Sequence, residues 1–581
     1  MMKTKKFEFA FVFISIIYFA GCADENDPKY WAKKVKEPAY REMAIKRMGD
    51  LYQEALKKAK YNKQDAEVVK IKEAIIPVLL DTFNKYKTDN VNRSNILTIL
   101  AQIGDARAVP AFEELLDYTE GINETDASKG AEALGNLKSE PSIPKIIGMV
   151  RKAITARKSR GEGQRNRPEE DWIARAAIES LAKIVSAHPS TPHKSEAVEI
   201  LIELLGTTAD EQDFFLNMKA ATALGEIGDP AAIPMLIRGL FMQGRGATIF
   251  QQCRVALLKI AIENRAKVIE WLLKAIKGEF KELEVDAEKY QFMKGVKEEK
   301  IGRMFVELDV TPDENKEVFD VLMKKLDDPD PAISGFAAIA LGGLRYEPAL
   351  PKMVAKLTSK DVQLGMVPGI LEAFEYYQDP EKTQKILLDM ISNKDKWEEN
   401  YRLRAALALT KIAGGDILES YQKVISQEEN EEVHKQMVEF TERLEAAREC
   451  GNNVDCWIGK LNSNSWRIQE KAILTLTRLK DKIPQEKIND ITLLMKSPNQ
   501  DVLKVLMNLI EEIHPKGCQP SRTCDRLRKI IPYWRAKPQM KVRANDAECI
   551  LALLIHRQGG KLSDMGISEA GEMAAAASGS E

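Results

Sequence analysis

The stretch KAATALGEIGDPAAIPML, Lys219–Leu236, decides the fold. It begins with a segment rich in Ala and Gly and breaks at Asp229-Pro230. It then resumes with apolar residues around a second proline, Pro234. Proline cannot continue a helix from within, so the pattern reads as two helices joined by a turn. Small residues in the Ala-rich helix let a neighbouring helix approach closely. The same theme recurs as ILTILAQIGDARAVPAF (Ile96–Phe112), AEALGNLKSEPSIPKI (Ala131–Ile146) and FAAIALGGLRYEPALPK (Phe336–Lys352).

The spacing is regular. Leu100 to Leu134 is 34 residues, Leu224 to Leu258 is 34, and Leu341 to Leu409 is 68, two such steps. Each unit combines a short helix with one apolar stripe, such as Val318–Leu326, a turn, such as Asp327–Pro331, and an Ala-rich helix, such as Ile333–Leu344. Neither helix can bury its stripe alone, so successive pairs must stack. The expected fold is all-α, an α-solenoid of about twelve helix pairs. At about 10 Å per layer it would be an elongated array on the order of 120 Å long. These units resemble HEAT repeats, specifically the HEAT-like type also seen in phycobilisome lyases. The resemblance rests on residues that set the fold, so it implies no catalytic residue here.

The expected organisation is two arrays, 38–276 and 317–558, around a charged helical joint at 277–316. A short tether at 22–37 precedes them, and a low-complexity tail expected to be disordered, 559–581, follows. An excess of about 13 residues between Leu134 and Leu181 over the 34-residue step places an insertion near 155–170.

At the N-terminus, Lys3, Lys5 and Lys6 precede the apolar run Phe9–Phe19 and the small residues Ala20-Gly21-Cys22. The run is too short to span a bilayer, which needs about 20 residues, and fits a signal-peptide core at 1–21. Phe19-Ala20-Gly21-Cys22 resembles the lipobox of bacterial lipoproteins, which implies cleavage before Cys22 and a lipid on its thiol. Ala23 stands where Asp commonly retains such proteins at the inner membrane. The resemblance therefore implies an outer-membrane anchor facing the periplasm, with the membrane contacted through lipid.

Charged residues make up 30% of the 581-residue chain and hydrophobic ones 44%, which suits solvated helices around a large core. The formal charge is −2, and removing the signal's net +2 leaves −4. A weakly acidic chain is not a general nucleic-acid binder, because phosphate binding needs clustered Lys and Arg. One basic cluster exists in the insertion, and Arg157, Lys158, Arg160, Arg165 and Arg167 are its anion-contact candidates. A solvated, charge-solubilised loop is the bland alternative. Aromatic residues do not interleave, so single-stranded nucleic acid is not expected.

Four cysteines form two pairs with five residues between the members of each: Cys450 with Cys456, and Cys518 with Cys524. The pairs lie 68 residues apart, at the same repeat phase. Gly451, Asn452, Asn453 and Pro520 place both pairs in loops between helices. A shared four-cysteine zinc site would have to bridge about 20 Å with bonds of about 2.3 Å. Two local disulfides are expected instead, matching an oxidising compartment. Cys253 and Cys549 fall in helical patterns as buried small hydrophobes. The five histidines are scattered and none precedes Glu. The di-iron site of deoxyhypusine hydroxylase, a HEAT-like enzyme built on His-Glu dipeptides, is therefore not expected. No catalytic residue, metal or cofactor site emerges.

The sequence thus points to a lipid-anchored envelope scaffold that binds protein or peptide partners in a groove lined by the Ala-rich helices. The rival is a HEAT-like enzyme or enzyme subunit of the lyase type. A long open groove without convergent titratable groups favours the scaffold. A strongly perturbed acid or base in a deep pocket favours the enzyme.

Overall fold

A computed structural model describes residues 25–117, 124–159, 168–207, 214–244, 247–518 and 521–567. The chain divides into two compact units, Met1–Gln212 and Asp213–Glu581. Cys22 lies outside the described residues.

The first unit stacks α1 (Pro28–Lys34), α2 (Arg41–Lys58), α3 (Ala66–Lys85), α4 (Asn90–Ile103), α5 (Val109–Leu115), α6 (Glu124–Leu137), α7 (Ile143–Ser159), α8 (Pro168–Ala187) and α9 (Lys194–Gly206). The Gly-Asp turns explain the repeat signature. Gly104 ends α4 in the left-handed conformation at φ 69°, which glycine adopts without strain. Asp105 then accepts the Arg107 backbone N–H and caps a short 3-10 turn. Pro110 follows at the start of α5, where a missing N–H costs nothing. Gly228 and Asp229 repeat the arrangement after the first helix of the second unit.

The expected tether is not one. Residues 28–34 form α1, which packs on α2 and α3 with Trp31 buried. Trp31 Nε1 donates to the Glu25 carbonyl at 2.8 Å. An indole is too large an apolar surface to leave in water beside a helix pair.

The second unit contains α10 (Phe215–Ile227), α11 (Ile233–Gly239), α12 (Phe250–Lys277), α13 (Lys281–Lys289), α14 (Val296–Leu308), α15 (Lys316–Leu326), α16 (Pro331–Gly343), α17 (Leu350–Thr358), α18 (Val367–Tyr377) and α19 (Pro380–Ser392). It continues with α20 (Glu399–Ile412), α21 (Leu418–Ile425), α22 (Glu431–Cys450), α23 (Val454–Lys460), α24 (Trp466–Arg478), α25 (Ile488–Thr492), α26 (Gln500–Glu512), α27 (Thr523–Arg535) and α28 (Lys541–Arg557). Among the described residues the sole strand pairing is a two-residue ladder, β1 (Gln243–Gly244) with β2 (Ala247–Thr248). No described helix is long and apolar enough to cross a membrane. The fold is the expected all-α solenoid.

Its second unit is not open, however. Helices α12, α14, α16, α18, α20, α22, α24, α26 and α28 pack each on the next, and α28 packs back along α12. The unit is a closed ring of inner helices with the shorter helices outside. Close approach within the ring needs small residues. A Cβ on Gly302 would lie 2.9 Å from the Ala340 Cβ, and one on Gly342 would lie 2.6 Å from the Ala373 Cα. The seam is apolar as well as charged, since Leu551, Leu554 and Ile555 of α28 are fully buried. Each such burial stabilises by roughly 1.5–3 kcal/mol.

Closure revises two further expectations. The charged stretch 277–316 is not a joint, because α14 is a ring member with Ile301, Met304, Phe305 and Leu308 buried. The division between units falls between Gln212 and Asp213 instead. The tail is ordered at its start: Leu562–Met565 forms a 3-10 turn against α12 and α28 with Met565 buried. Residues 568–581 lie outside the described residues.

Candidate functional site: the lumen of the second unit

The inner helices turn regular stripes of side chains toward a cavity of roughly 260 Å³. Helix α18 supplies Glu372, Glu375 and Tyr376, at helical positions i, i+3 and i+4. Its other face, Val367, Ile370, Leu371 and Phe374, is core. Helix α24 supplies Trp466, Glu470 and Leu474 at steps of four, and α20 supplies Leu407 and Lys411. Helix α26 adds Asp501, Lys504, Val505 and Asn508, and α22 adds Arg443.

At the centre is a chain of ion pairs. Lys411 Nζ lies 2.9 Å from Glu375 Oε2 and 3.2 Å from Glu470 Oε1. Arg443 Nη2 donates to Glu470 Oε2 at 2.6 Å. Burial raises the Glu470 carboxyl, but Lys411 and Arg443 together outweigh it and hold it low. Glu375 goes the other way. Burial pushes its carboxyl up, the charges of Glu470 and Glu372 add to this, and Lys411 compensates only in part. Lys411, shared between two acids, stays charged. Glu375 is therefore the acid of the set nearest to neutral. Its side chain is a quarter exposed, as expected for a group that lines a narrow lumen yet is crowded on all sides. The Tyr376 phenol is pushed up by burial and by Glu372 and Glu375.

Behind the lumen, Lys471 donates to the carbonyls of Lys411 and Ala413 at 2.8 and 2.7 Å. Burial, with Arg478 and Arg443 nearby, takes its amine well below the ordinary lysine range. Both of its hydrogen bonds go to carbonyls at the end of α20.

The expected trough of the Ala-rich helices has a different surface. Their small residues lie between neighbouring helices rather than on a groove floor. Gly135, for example, abuts Ser180, where an added Cβ would lie 2.8 Å from the Cα. Between α6 and α8 a cavity of about 240 Å³ is bordered by Lys129, Glu132, Arg175 and Trp172, the last 53% exposed.

The basic candidates divide. Helix α7 continues through Ser159, which carries Arg157 into a buried position and sets Lys158 Nζ 2.6 Å from Glu203 of α9. Lys158 is thereby tied to α9, while Arg157 is withdrawn from the surface. Arg160, Arg165 and Arg167 lie outside the described residues.

The cysteine pairs are each at disulfide distance. Cys450 and Cys456 have a Cα–Cα separation of 5.4 Å, and Cys518 and Cys524 one of 5.7 Å. Their setting differs from the loops expected. At the first pair the turn is made by Gly451–Asn453. Cys450 is the last residue of α22, and Cys456 is in the first turn of α23. Cys524 is the second residue of α27 and is buried, whereas Cys518 precedes that helix. At the first pair the reason is local: a six-residue step is just long enough for one chain reversal, so one helix ends at Cys450 and the next has begun by Cys456. Cys253 and Cys549 are buried, and burial pushes the Cys549 thiol up to about 12.

The sequence reading missed the lumen. Glu372, Glu375 and Tyr376, like Trp466 and Glu470, were visible as helical stripes, but a charged stripe on a repeat helix ordinarily faces solvent. Only closure of the ring turns five such stripes toward one space.

The geometry defines an α-solenoid with a ring-closed second unit. Residues 218–241 match the PBS lyase HEAT-like repeat, so the chain carries at least one repeat of that type. No curated protein matches the chain. Among solved structures it is similar to Kap121p, at 12% identity over 94% of this chain and 64% of that one, with a TM-score of 0.47. Importin beta is similar at 12% identity over 95% of this chain and 74% of that one, with a TM-score of 0.31. The chain thus spans less than two thirds of the length of Kap121p.

Proposed function

We propose that the chain is a lipid-anchored envelope scaffold, without catalytic activity of its own, that binds a protein or peptide partner. The observation that carries the binding reading is the lumen. Its central acids and bases are paired with one another rather than poised singly. In the Glu375–Lys411–Glu470–Arg443 chain each charged group is tied to a neighbour, whereas acyl or phosphoryl chemistry needs a nucleophile beside a free base. Polar groups around aromatic and aliphatic walls suit recognition instead. Anchoring through Cys22 in the outer membrane would place the binding surfaces in the periplasm.

The test is position-specific photo-crosslinking in intact cells. A photoreactive residue at Asn508 or at Trp172 should trap a defined partner, while one at exposed Lys435 should not. Adducts independent of position would overturn the reading. Mass spectrometry should find a diacylglyceryl adduct on an N-terminal Cys22, and Cys22→Ser should release the protein or block its processing.

One observation favours the rival reading of a HEAT-like enzyme or subunit. Burial pushes the Glu375 carboxyl up, beside Tyr376 and Glu372, the direction a general acid needs. Any turnover by the purified protein that Glu375→Gln abolishes would establish it.

A further inference from the structure

We infer that the lumen of the second unit binds a zwitterionic aminoacyl group: an α-ammonium with a neighbouring carboxylate or carbonyl, as in a short peptide or the amino end of a polypeptide. This names the ligand class of the lumen and rests on the binding reading above.

The argument begins with what remains after internal pairing. Glu375, Lys411, Glu470 and Arg443 neutralise one another. Among the described residues, the side chains of Glu372, Asp501, Lys504 and Asn508 line the cavity without a hydrogen-bond or ion-pair partner. Two acids and one base are thus left facing the same small space. Arg443 is fully buried behind the wall: its Nε and Nη2 bind Glu470, and its Nη1 has neither a partner nor accessible surface, so it lends positive charge to that side without touching a guest.

The leftover set excludes single-sign guests. A purely cationic ligand meets Glu372 and Asp501 but leaves Lys504 and Arg443 opposed to it. A phosphate or other polyanion meets Lys504 but faces Glu372 and Asp501. A ligand bearing both signs satisfies both groups at once. Its ammonium would bind the carboxylates, and its carboxylate or carbonyl would bind Lys504. The walls agree, because Leu407, Leu474 and Val505 offer apolar surface for a side chain. The volume, roughly 260 Å³, lies below the range of about 300–1,000 Å³ usual for drug-sized ligands and suits one or two residues.

The test is calorimetry on the full chain with the dipeptide Ala-Leu, its N-acetylated form and the pentapeptide Ala-Leu-Gly-Gly-Gly. Ala-Leu should bind. N-acetylation and the variants Glu372→Gln and Lys504→Gln should each weaken binding by about tenfold or more. Both variants alter groups without partners, so their thermal melts should match the parent. Retention by the pentapeptide would assign the site to a polypeptide amino end, and its exclusion to free short peptides. No binding of Ala-Leu up to about 10 mM, or equal binding of the acetylated form, would overturn the inference. Crosslinking at Trp172 keeps the two readings apart. If the partner is still trapped there by a chain that fails the calorimetry, the scaffold stands and the lumen assignment falls.

Discussion

Glu511 is one of several ionisable groups that the fold holds away from ordinary behaviour. It sits at the end of α26 beside Asp309, Glu512, Arg345 and Arg557. Arg557 Nη2 lies 3.5 Å from its carboxylate but 2.6 Å from that of Asp309, so the guanidinium is bound chiefly elsewhere. Burial, followed by Asp309, pushes Glu511 up to about 8. A carboxyl whose folded value is raised binds more protons folded than unfolded. Its stabilising contribution is present at low pH and is lost as pH rises from about 4.5 through 8. Glu511→Gln should therefore stabilise the protein relative to the parent at pH 8 but not at pH 5. The difference should be on the order of 1–3 kcal/mol in denaturant melts. A difference that does not change with pH would show that Glu511 ionises normally.

At the scale of elements, the disulfide loops are short clamps at helix junctions. Cys450 ends α22 and Cys456 lies in the first turn of α23, with Asn453 capping the new helix and Trp457 Nε1 donating to the Gly451 carbonyl. The second clamp ties Cys518 to Cys524 at the start of α27 and is held from inside by His514. The Nδ1 of His514 faces the Ile510 carbonyl at 2.7 Å, so it must donate, leaving Nε2 to accept from Ser521 at 2.7 Å. Thiol labelling of the native protein without reductant should modify none of the four cysteines. Cys456→Ser should cost about 2 kcal/mol by loop-closure entropy, and amide exchange should show the loss concentrated around α22 and α23. Four reactive thiols would refute the pairing.

Legibility also varied by element. The Gly-Asp turns and cysteine pairs were readable because each is a local device, set by a few adjacent residues. The helical placement of Cys456 and Cys524 was not, because Gly, Asn and Pro between the cysteines mark a turn without marking where it ends. Helix α1 was not, because its anchor, Trp31, is a lone aromatic in a charged stretch. The turn at Leu562–Met565 was not, because its order comes from α12 and α28, some 300 residues earlier and immediately before it.

At the scale of the molecule, the decisive feature of the second unit is its seam. Arg254 of α12 is fully buried and lies 2.6 Å from Asp546 of α28. Its Nε faces Glu307 of α14 at 3.2 Å, off the line of a hydrogen bond but close enough for charge pairing. Lys259 meets Glu548 at 2.7 Å, and His556 bonds the Ile262 carbonyl at 3.0 Å. Removing one member leaves the others buried and uncompensated. Arg254→Ala should cost about 3–5 kcal/mol, accelerate exchange in α12 and α28 together, and enlarge the particle by small-angle scattering. An unchanged scattering profile with protected α28 amides would show that apolar packing alone holds the seam. No stretch of sequence announces closure, because a 34-residue period fixes each neighbour contact but not the accumulated curvature that brings first and last together.

The seam also sets a schedule. Asp546 follows Arg254 by 292 residues. A chain emerging at about 5–20 residues per second would leave α12 waiting roughly 15–60 seconds for its partner helix. During that interval Arg254 would have Glu307 of α14 but not Asp546, and Lys259 would lack Glu548. The last contacts to form are also the most distant in sequence, and long-range contacts slow folding. Until α28 arrives, the partly made ring presents a sticky edge to any helper protein within reach.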